Sequence, residues 1–410
     1  MTEKGLKLSA PSSQVKFAAF ITAICLLGDM MLYVVLPIHW EQFGLLSLWE
    51  VGVLLSINRF VRIPLHPIVN QFYKKFSLKQ GFMIGLVLTV LSTIAYGVLK
   101  SFWPLLLARV LWGIAWTFLR QGGQLIVVEA AMKTGDAGRL SGLYNGLSRS
   151  GALVGMLVGG ACIDLIGVEW ISLIFGIVAL ICIPLLITSN FGYSVNYDEM
   201  AHSSNDAHHL KKKQVFIYLL ISTFFITFIF QGVLKSTLGL WVDERDFTTL
   251  LLLGALGPAA LTAVLLTFSW GMEPLISPLV GKWRDRSRAK ERWLITGLGL
   301  AAVFYAIVPL SLPVSTWIMV IIILLILSTL ITMLLDATMA EYAVTAKTSK
   351  HKVISNYLMV SDLGAAAGPM LGFMIIEMAG ASMVAWGAAG LILTVALILG
   401  KVERSSNASK

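Results

Sequence analysis

The chain has 410 residues, of which 57% are hydrophobic and only 13% charged, and its mean hydropathy is +0.82. Soluble domains carry about 25% charged residues, so the composition excludes a soluble globular enzyme and points to a polytopic membrane protein. The net charge of +9 would suit a nucleic-acid partner, but its distribution along the chain follows lipid topology instead.

Met1 to Gln14 is polar and lacks the short apolar core and small-residue cleavage site of a removable signal. About 20 apolar residues are needed for each membrane crossing. Twelve crossings are predicted, at 17–37, 49–70, 80–99, 102–131, 139–166, 169–189, 214–241, 252–282, 292–310, 314–343, 352–378 and 381–401. Several are longer than a bilayer is thick, so tilt or extension into water is expected. Cys25, Cys162 and Cys182 fall inside these apolar stretches and read as small buried hydrophobes rather than disulfide or metal ligands.

Lysine and arginine placement tests the topology. Of the 31 basic residues, 23 fall on the side of the termini and two, Lys100 and Arg245, on the other. Six lie inside the spans: Arg59, Arg62, Arg109, Arg120, Arg149 and Lys235. This asymmetry predicts an inner (plasma) membrane protein with both termini cytoplasmic. The one long polar stretch, 190–213, reads as a cytoplasmic linker ending in Lys211, Lys212 and Lys213 at the membrane face. It separates a six-helix bundle at 1–189 from a second at 214–410. His202, His208, His209 and Asp206 in the linker could bind a metal, but chance histidines in a flexible segment are the simpler reading, and no metal is expected.

The two halves repeat each other. Residues 142–167 match 355–380 at an offset of 213: Tyr144 on Tyr357, Ser148 on Ser361, Gly151 on Gly364, Gly155 on Gly368, Gly159 on Gly372 and Gly167 on Gly380. Asp164 falls on Glu377, but Arg149 falls on Asp362, a reversal of charge. Residues 67–77 overlie 278–288 at an offset of 211, and Arg62 overlies Glu273. Parallel six-helix repeats are a transporter architecture with substrate held between the halves near mid-membrane.

At this point the sequence resembles the major facilitator superfamily, and within it proton-coupled drug and metabolite exporters, over essentially its full length. The segment GKWRDRSRAK resembles the family's G-x-x-x-D-R-x-G-R-R loop through Gly281, Asp285, Arg286 and Lys290; Arg288 and Ala289 depart from it. In the first half Asn70 and Lys74 stand where that loop has Gly and Asp. Arg109 and Gly113 resemble the R-x-x-x-G motif of span 4. Gly142, Gly151, Gly155, Gly159 and Gly160 resemble the glycine motif of antiporters, with Met156 in place of its proline; the twin keeps one at Pro369. Asp29 in span 1 resembles the acid of many proton-coupled exporters.

The resemblance implies an all-α fold of two pseudo-symmetric six-helix bundles working by alternating access. It implies a small-molecule substrate, the lipid bilayer as surroundings, a monomer, no nucleic-acid partner and no cofactor beyond a proton gradient.

A charge at the bilayer centre costs roughly 2.5–3.5 kcal/mol or more, so each membrane charge should have a use. By depth, at about 1.5 Å per residue, Asp29 and Arg109 lie at similar heights, and the family fold makes spans 1 and 4 neighbours. They are the expected proton-coupling pair, with a static structural pair as the alternative. The family fold also faces span 5 with span 8 and span 2 with span 11. That offers Arg149–Glu273 and Arg62–Asp362 as gating pairs, beside the gating loop at Gly281, Asp285 and Arg286. The alternative is a substrate clamp: Arg59, Arg62, Arg120 and Arg149 are suited to carboxylate or phosphate, and Lys235 and Asp336 could complete a site for an anion or zwitterion. Tyr33, Trp112, Trp116, Phe230 and Trp270 could stack a substrate ring or serve as ordinary core. The glycines of span 5 are expected where spans 5 and 8 pass closely. No HExxH, G-x-S-x-G or P-loop pattern is present, so a membrane-embedded enzyme or ATP-driven pump is disfavoured. A non-transporting sensor or lipid-binding protein, or an importer, on the same fold stays open.

Overall fold

The computed structural model describes residues 10–134, 137–191, 210–245, 257–286, 290–345 and 350–407. Within these, the side chains of 128, 131–132, 137–139, 141–142, 210–215, 273–286, 290–291, 337, 340–345, 350–355 and 402–407 fall outside the description.

Among the described residues every regular element is helical. The first four helices are α1 (Pro11–Val35), α2 (Leu48–Lys75), α3 (Leu78–Val98) and α4 (Phe102–Thr134). The run Ala137–Thr188 breaks at Gly167, and its two segments are α5 and α6. α7 covers Leu210–Ile226, a π-helical stretch Thr227–Leu234, and Lys235–Asp243. Then follow α8 (Pro258–Arg286), α9 (Lys290–Ile307), α10 (Val314–Thr345), α11 (Lys350–Ala379) and α12 (Ala381–Asn407). The twelve helices take up the twelve predicted spans in order.

The helix ends overrun the predicted spans. α1 starts at Pro11, α2 continues to Lys75, and α7 begins at Leu210, inside the segment read as linker. Hydropathy marks only the part of a helix that meets lipid, whereas backbone hydrogen bonding carries the helix on into water. Asp285 and Arg286, read as loop, form the last turn of α8 for the same reason. The linker histidines lie outside the described residues.

Glycines set the breaks and the close contacts. Gly167 has φ 78 and ψ 167, and its repeat mate Gly380 has φ 86. Both turn the chain between consecutive spans, in backbone regions that β-carbons oppose. Gly167→Ala should lower stability by about 1–3 kcal/mol, read as a fall in melting temperature in detergent.

The glycines of α5 do not face α8 as expected. A Cβ on Gly151 would lie 2.5 Å from Ala23 Cα, one on Gly155 2.5 Å from Leu27 O, and one on Gly159 2.8 Å from Met31 Cβ. These are successive turns of α1, so the stripe is the seam between α1 and α5. Among the described glycines of α5, only Gly160 faces α8, against Ala259 and Ala263. The twin behaves alike: a Cβ on Gly364 would lie 3.1 Å from Phe228 N, and one on Gly368 2.5 Å from Phe228 O in α7. Small residues at a spacing of four allow backbones in lipid to approach until dispersion contacts replace the missing hydrophobic drive.

Internal contacts divide the chain into two compact units, drawn from 1–46, 57–201 and 257–264, and from 47–56, 202–256 and 265–410. In the first, Phe17, Tyr73, Phe82, Trp112 and Tyr144 are buried in a single core. In the second, Tyr305, Trp317, Leu325 and Phe373 are fully enclosed. α3 starts with a capping box, Ser77 with Gln80. Lys79 Nζ donates to the carbonyls of Ile187 (2.8 Å) and Ser189 (2.9 Å), satisfying the end of α6.

Candidate functional site

The first unit buries an ion pair at membrane depth. Asp29 is in α1, and Gly28 beside it gives α3 room, since a Cβ there would lie 2.7 Å from Thr93 Oγ1. Arg109, on α4, is fully buried. Its Nη1 donates to Asp29 Oδ1, and the two side chains are 0% and 5% exposed. One turn on, Gly113 brings α2 against α4: a Cβ would lie 2.7 Å from Asn58 O. The R-x-x-x-G spacing thus places the arginine toward α1 and the glycine toward α2.

A third group completes the cluster. Tyr96 of α3, 1% exposed, has its hydroxyl 3.5 Å from Arg109 Nη1, and its ring centroid is 6.0 Å from the guanidinium carbon. Sequence reasoning passed over Tyr96. Its only signal was a polar tip inside an apolar span, which is common at membrane interfaces. In so enclosed a site the attraction between carboxylate and guanidinium is weakly screened, and removing either partner strands the other.

The other predicted residues are placed as follows. In the first unit, the Arg59 guanidinium carbon lies 5.9 Å from the Tyr33 ring centroid. Arg120 is exposed, with its guanidinium carbon 5.9 Å from the Trp116 ring, and Trp116 lies 6.0 Å from Trp112 at 31°. The residues 112, 116 and 120 recur every four along α4, so one helix face grades from buried indole to exposed guanidinium. In the second unit, Lys235 Nζ is 4.8 Å from the Trp270 ring centroid. Tyr357 donates its hydroxyl hydrogen to Asp336. Phe230 is buried against Tyr305, their centroids 6.2 Å apart, and so serves as core rather than as a stacking platform.

Arg62 and Arg149 fall in the first unit and Asp362 in the second, and each makes polar, ring or electrostatic contacts. The side chains of Glu273, Gly281, Asp285 and Arg286 lie outside the described residues. His66, between Pro64 and Pro67, is tied to α4: Gln121 Nε2 lies 2.8 Å from its Nδ1 and donates to its carbonyl at 3.0 Å. Among the described residues, no group of three His, Cys, Asp or Glu side chains could hold a metal ion.

A sequence model described as Major Facilitator Superfamily matches residues 18–351. The chain belongs to the major facilitator superfamily. Its relatives include multidrug resistance protein MdtG of Proteus mirabilis, 29% identical over 321 residues that cover 74% of this chain and 73% of that protein. MdtG of Salmonella paratyphi A is 27% identical over 374 residues, 87% of each chain. Among solved structures, a mutant of the nucleoside transporter NupG has a TM-score of 0.79 at 12% identity, covering 96% of this chain and 99% of its own. A POT family transporter in complex with 5-aminolevulinic acid has a TM-score of 0.73 at 14% identity, covering 94% of each. At such identities the structural likeness establishes the fold. This major facilitator protein is a multi-pass membrane transporter of a small-molecule substrate.

Proposed function

We propose that this transporter is a proton-coupled exporter of small amphipathic organic compounds that carry an anionic or zwitterionic group. The observation that carries the reading is the enclosed Asp29–Arg109 pair. A guanidinium keeps its charge at any physiological pH, so the pair can change state only by protonation of the carboxylate. Joined to Arg109 the carboxylate has a counter-charge; parted from it, the carboxylate would be a buried charge without one. A cycle that alternately joins and parts the two therefore loads and releases one proton. Arg109 stays charged on parting, and the Tyr96 hydroxyl and ring lie beside it.

The cation–aromatic pairs support the proposed substrate class. Arg120 with Trp116, Arg59 with Tyr33, and Lys235 with Trp270 each set a positive charge beside a flat apolar face. A planar ring bearing a carboxylate or phosphate would use both features at once. The MdtG relatives, named for multidrug resistance, and the antiporter-like glycine motif support export. The basic face supports a chain in the plasma membrane with both termini cytoplasmic, and its source of energy would be the proton gradient alone. The protein would act as a monomer.

The test is flux into proteoliposomes of norfloxacin, a fluorescent aromatic zwitterion, with and without an imposed pH gradient. Gradient-driven flux is expected. Arg120→Ala should raise KM about tenfold, the equivalent of one charge-assisted contact, with kcat nearly unchanged. Flux that ignores the gradient, or a KM that does not move, contradicts the reading.

A further inference from the structure

Two buried polar atoms near the Asp29–Arg109 pair have no hydrogen-bond partner among the described residues: the Tyr33 hydroxyl and Asn58 Oδ1. Their residues are enclosed, at 9% and 5% exposure. A buried polar group without a partner costs its desolvation and gains nothing in return, so one that persists calls for a use. Tyr33 follows Asp29 by four residues on α1, and that spacing puts both on one face of the helix. Tyr33 also acts electrostatically on Arg109. Asn58 lies on α2, where its main chain meets Gly113 of α4, one turn beyond Arg109. Arg59, next in sequence, stands over the Tyr33 ring and ties α2 to α1 at this level. All of these residues belong to the first unit.

The two atoms complement one protonation state of Asp29. An ionised carboxylate only accepts hydrogen bonds, and here it accepts from Arg109. A protonated carboxyl has one O–H to give and keeps a carbonyl oxygen that accepts. Asn58 Oδ1 is an acceptor and has nothing to offer a carboxylate, but it can take the hydrogen of the neutral acid. The Tyr33 hydroxyl is a donor for the carbonyl oxygen. Of the charged and titratable groups on the helices packed around this stretch of α1, α4 supplies Arg109, α3 supplies Tyr96 and α2 supplies Arg59. α5 meets it through Gly155 and Gly159, against Leu27 and Met31. Neither arginine can accept a hydrogen, and the Tyr96 hydroxyl accepts from Arg109.

We propose that Tyr33 and Asn58 are positioning residues for the protonated form of Asp29. Once the carboxyl has gained its proton and left Arg109, its O–H bonds to Asn58 Oδ1 and its carbonyl oxygen accepts from the Tyr33 hydroxyl. Asp29 then has partners in both of its states: Arg109 when ionised, Tyr33 and Asn58 when neutral. The exchange needs only rotation of side chains within the first unit. The proposal rests on the reading of Asp29 as the proton carrier and not on the substrate class.

The experiment is infrared difference spectroscopy of the full chain in lipid vesicles, between neutral and acidic pH, reading the carbonyl stretch of a protonated carboxyl. A band present in the wild type and missing from Asp29→Asn belongs to Asp29. Tyr33→Phe and Asn58→Leu should each move that band to higher frequency, because a hydrogen bond at either end of a carboxyl weakens its carbonyl stretch. The double variant should move it further than either. Each single variant should also slow norfloxacin-driven proton movement about fivefold, the loss of one hydrogen bond. The melting temperature of Tyr33→Phe at neutral pH should hold or rise, since the hydroxyl removed has no partner there. If Asn58→Leu does not fold, Asn58→Ala takes its place. An Asp29 band that neither variant moves overturns the proposal and leaves the proton reading standing. So does a lower melting temperature of Tyr33→Phe with an unmoved band, which would make the hydroxyl structural. A wild-type spectrum without an Asp29 band overturns the proton reading and the proposal with it. Absence of norfloxacin flux counts against the substrate reading alone, because the band needs no substrate.

Discussion

Arg109→Ala will destabilise the protein by about 3–5 kcal/mol, because it leaves the Asp29 carboxylate buried without its counter-charge. Both side chains are enclosed, 0% and 5% exposed, and solvent cannot reach in to replace the lost partner without opening the helix contacts around Gly28 and Gly113. The fall should appear as lower melting temperature and lower yield. Asp29→Asn combined with Arg109→Gln should recover most of it, because two neutral amides of similar volume can bond each other. A double variant as unstable as Arg109→Ala would show that the charges themselves organise the bundle. Restored stability with lost coupling would separate the fold from the chemistry.

The second large effect is steric. Gly151→Ala should cost about 3 kcal/mol, the upper part of the range for overpacking, because the added methyl meets the backbone of Ala23 and not a movable side-chain tip. Neither helix can yield locally, so α1 and α5 must separate along their length. Gly368→Ala should act alike, with Gly232 Cα and Phe228 O in the way. Gly146, on the same helix as the stripe but with nothing within 4 Å of where an added methyl would sit, is the control. Gly146→Ala should be neutral or stabilising by about 0.5–1 kcal/mol, since alanine is the better helix former. Thermal melts of the three variants in one detergent decide it. Equal losses at all three positions would mean that glycine stripes act here through flexibility rather than through contact.

The fold was legible because lipid imposes a simple code: length and hydropathy for spans, and an offset of 211–213 for the repeat. Gly167 and Gly380 show how far that code reaches, since two glycines matched in sequence share a positive φ. The code fails where it says nothing about direction around a helix. The stripe Gly151, Gly155 and Gly159 announces a close neighbour, but not which one, and the neighbour is α1. The π-helical stretch Thr227–Leu234, which runs up to Lys235, has no signature in residue type.

The candidate site was partly legible. A charged residue in an apolar span stands out, and similar depth, with the neighbouring spans 1 and 4 implied by the family resemblance, placed Asp29 beside Arg109. Neutral partners are invisible to such reasoning. Tyr96 became apparent only as a contact of a residue already suspect, Arg109. The repeat-matched tyrosines carry the same lesson. Tyr144 lies 3.3 Å from the Thr22 hydroxyl, whereas Tyr357 donates to the Asp336 carboxylate. One alignment column thus holds a packing residue in one half and a carboxylate partner in the other.

The central claim is that the carboxylate of Asp29 carries the coupled proton. The most direct measurement is proton movement on addition of norfloxacin to proteoliposomes containing a lumenal pH dye and no imposed gradient. The wild-type protein should move protons opposite to the substrate. Asp29→Asn should bind norfloxacin with an unchanged Kd and exchange it down its own gradient with no pH signal. A full pH signal from Asp29→Asn would contradict the account, and would assign the Asp29–Arg109 pair to architecture alone.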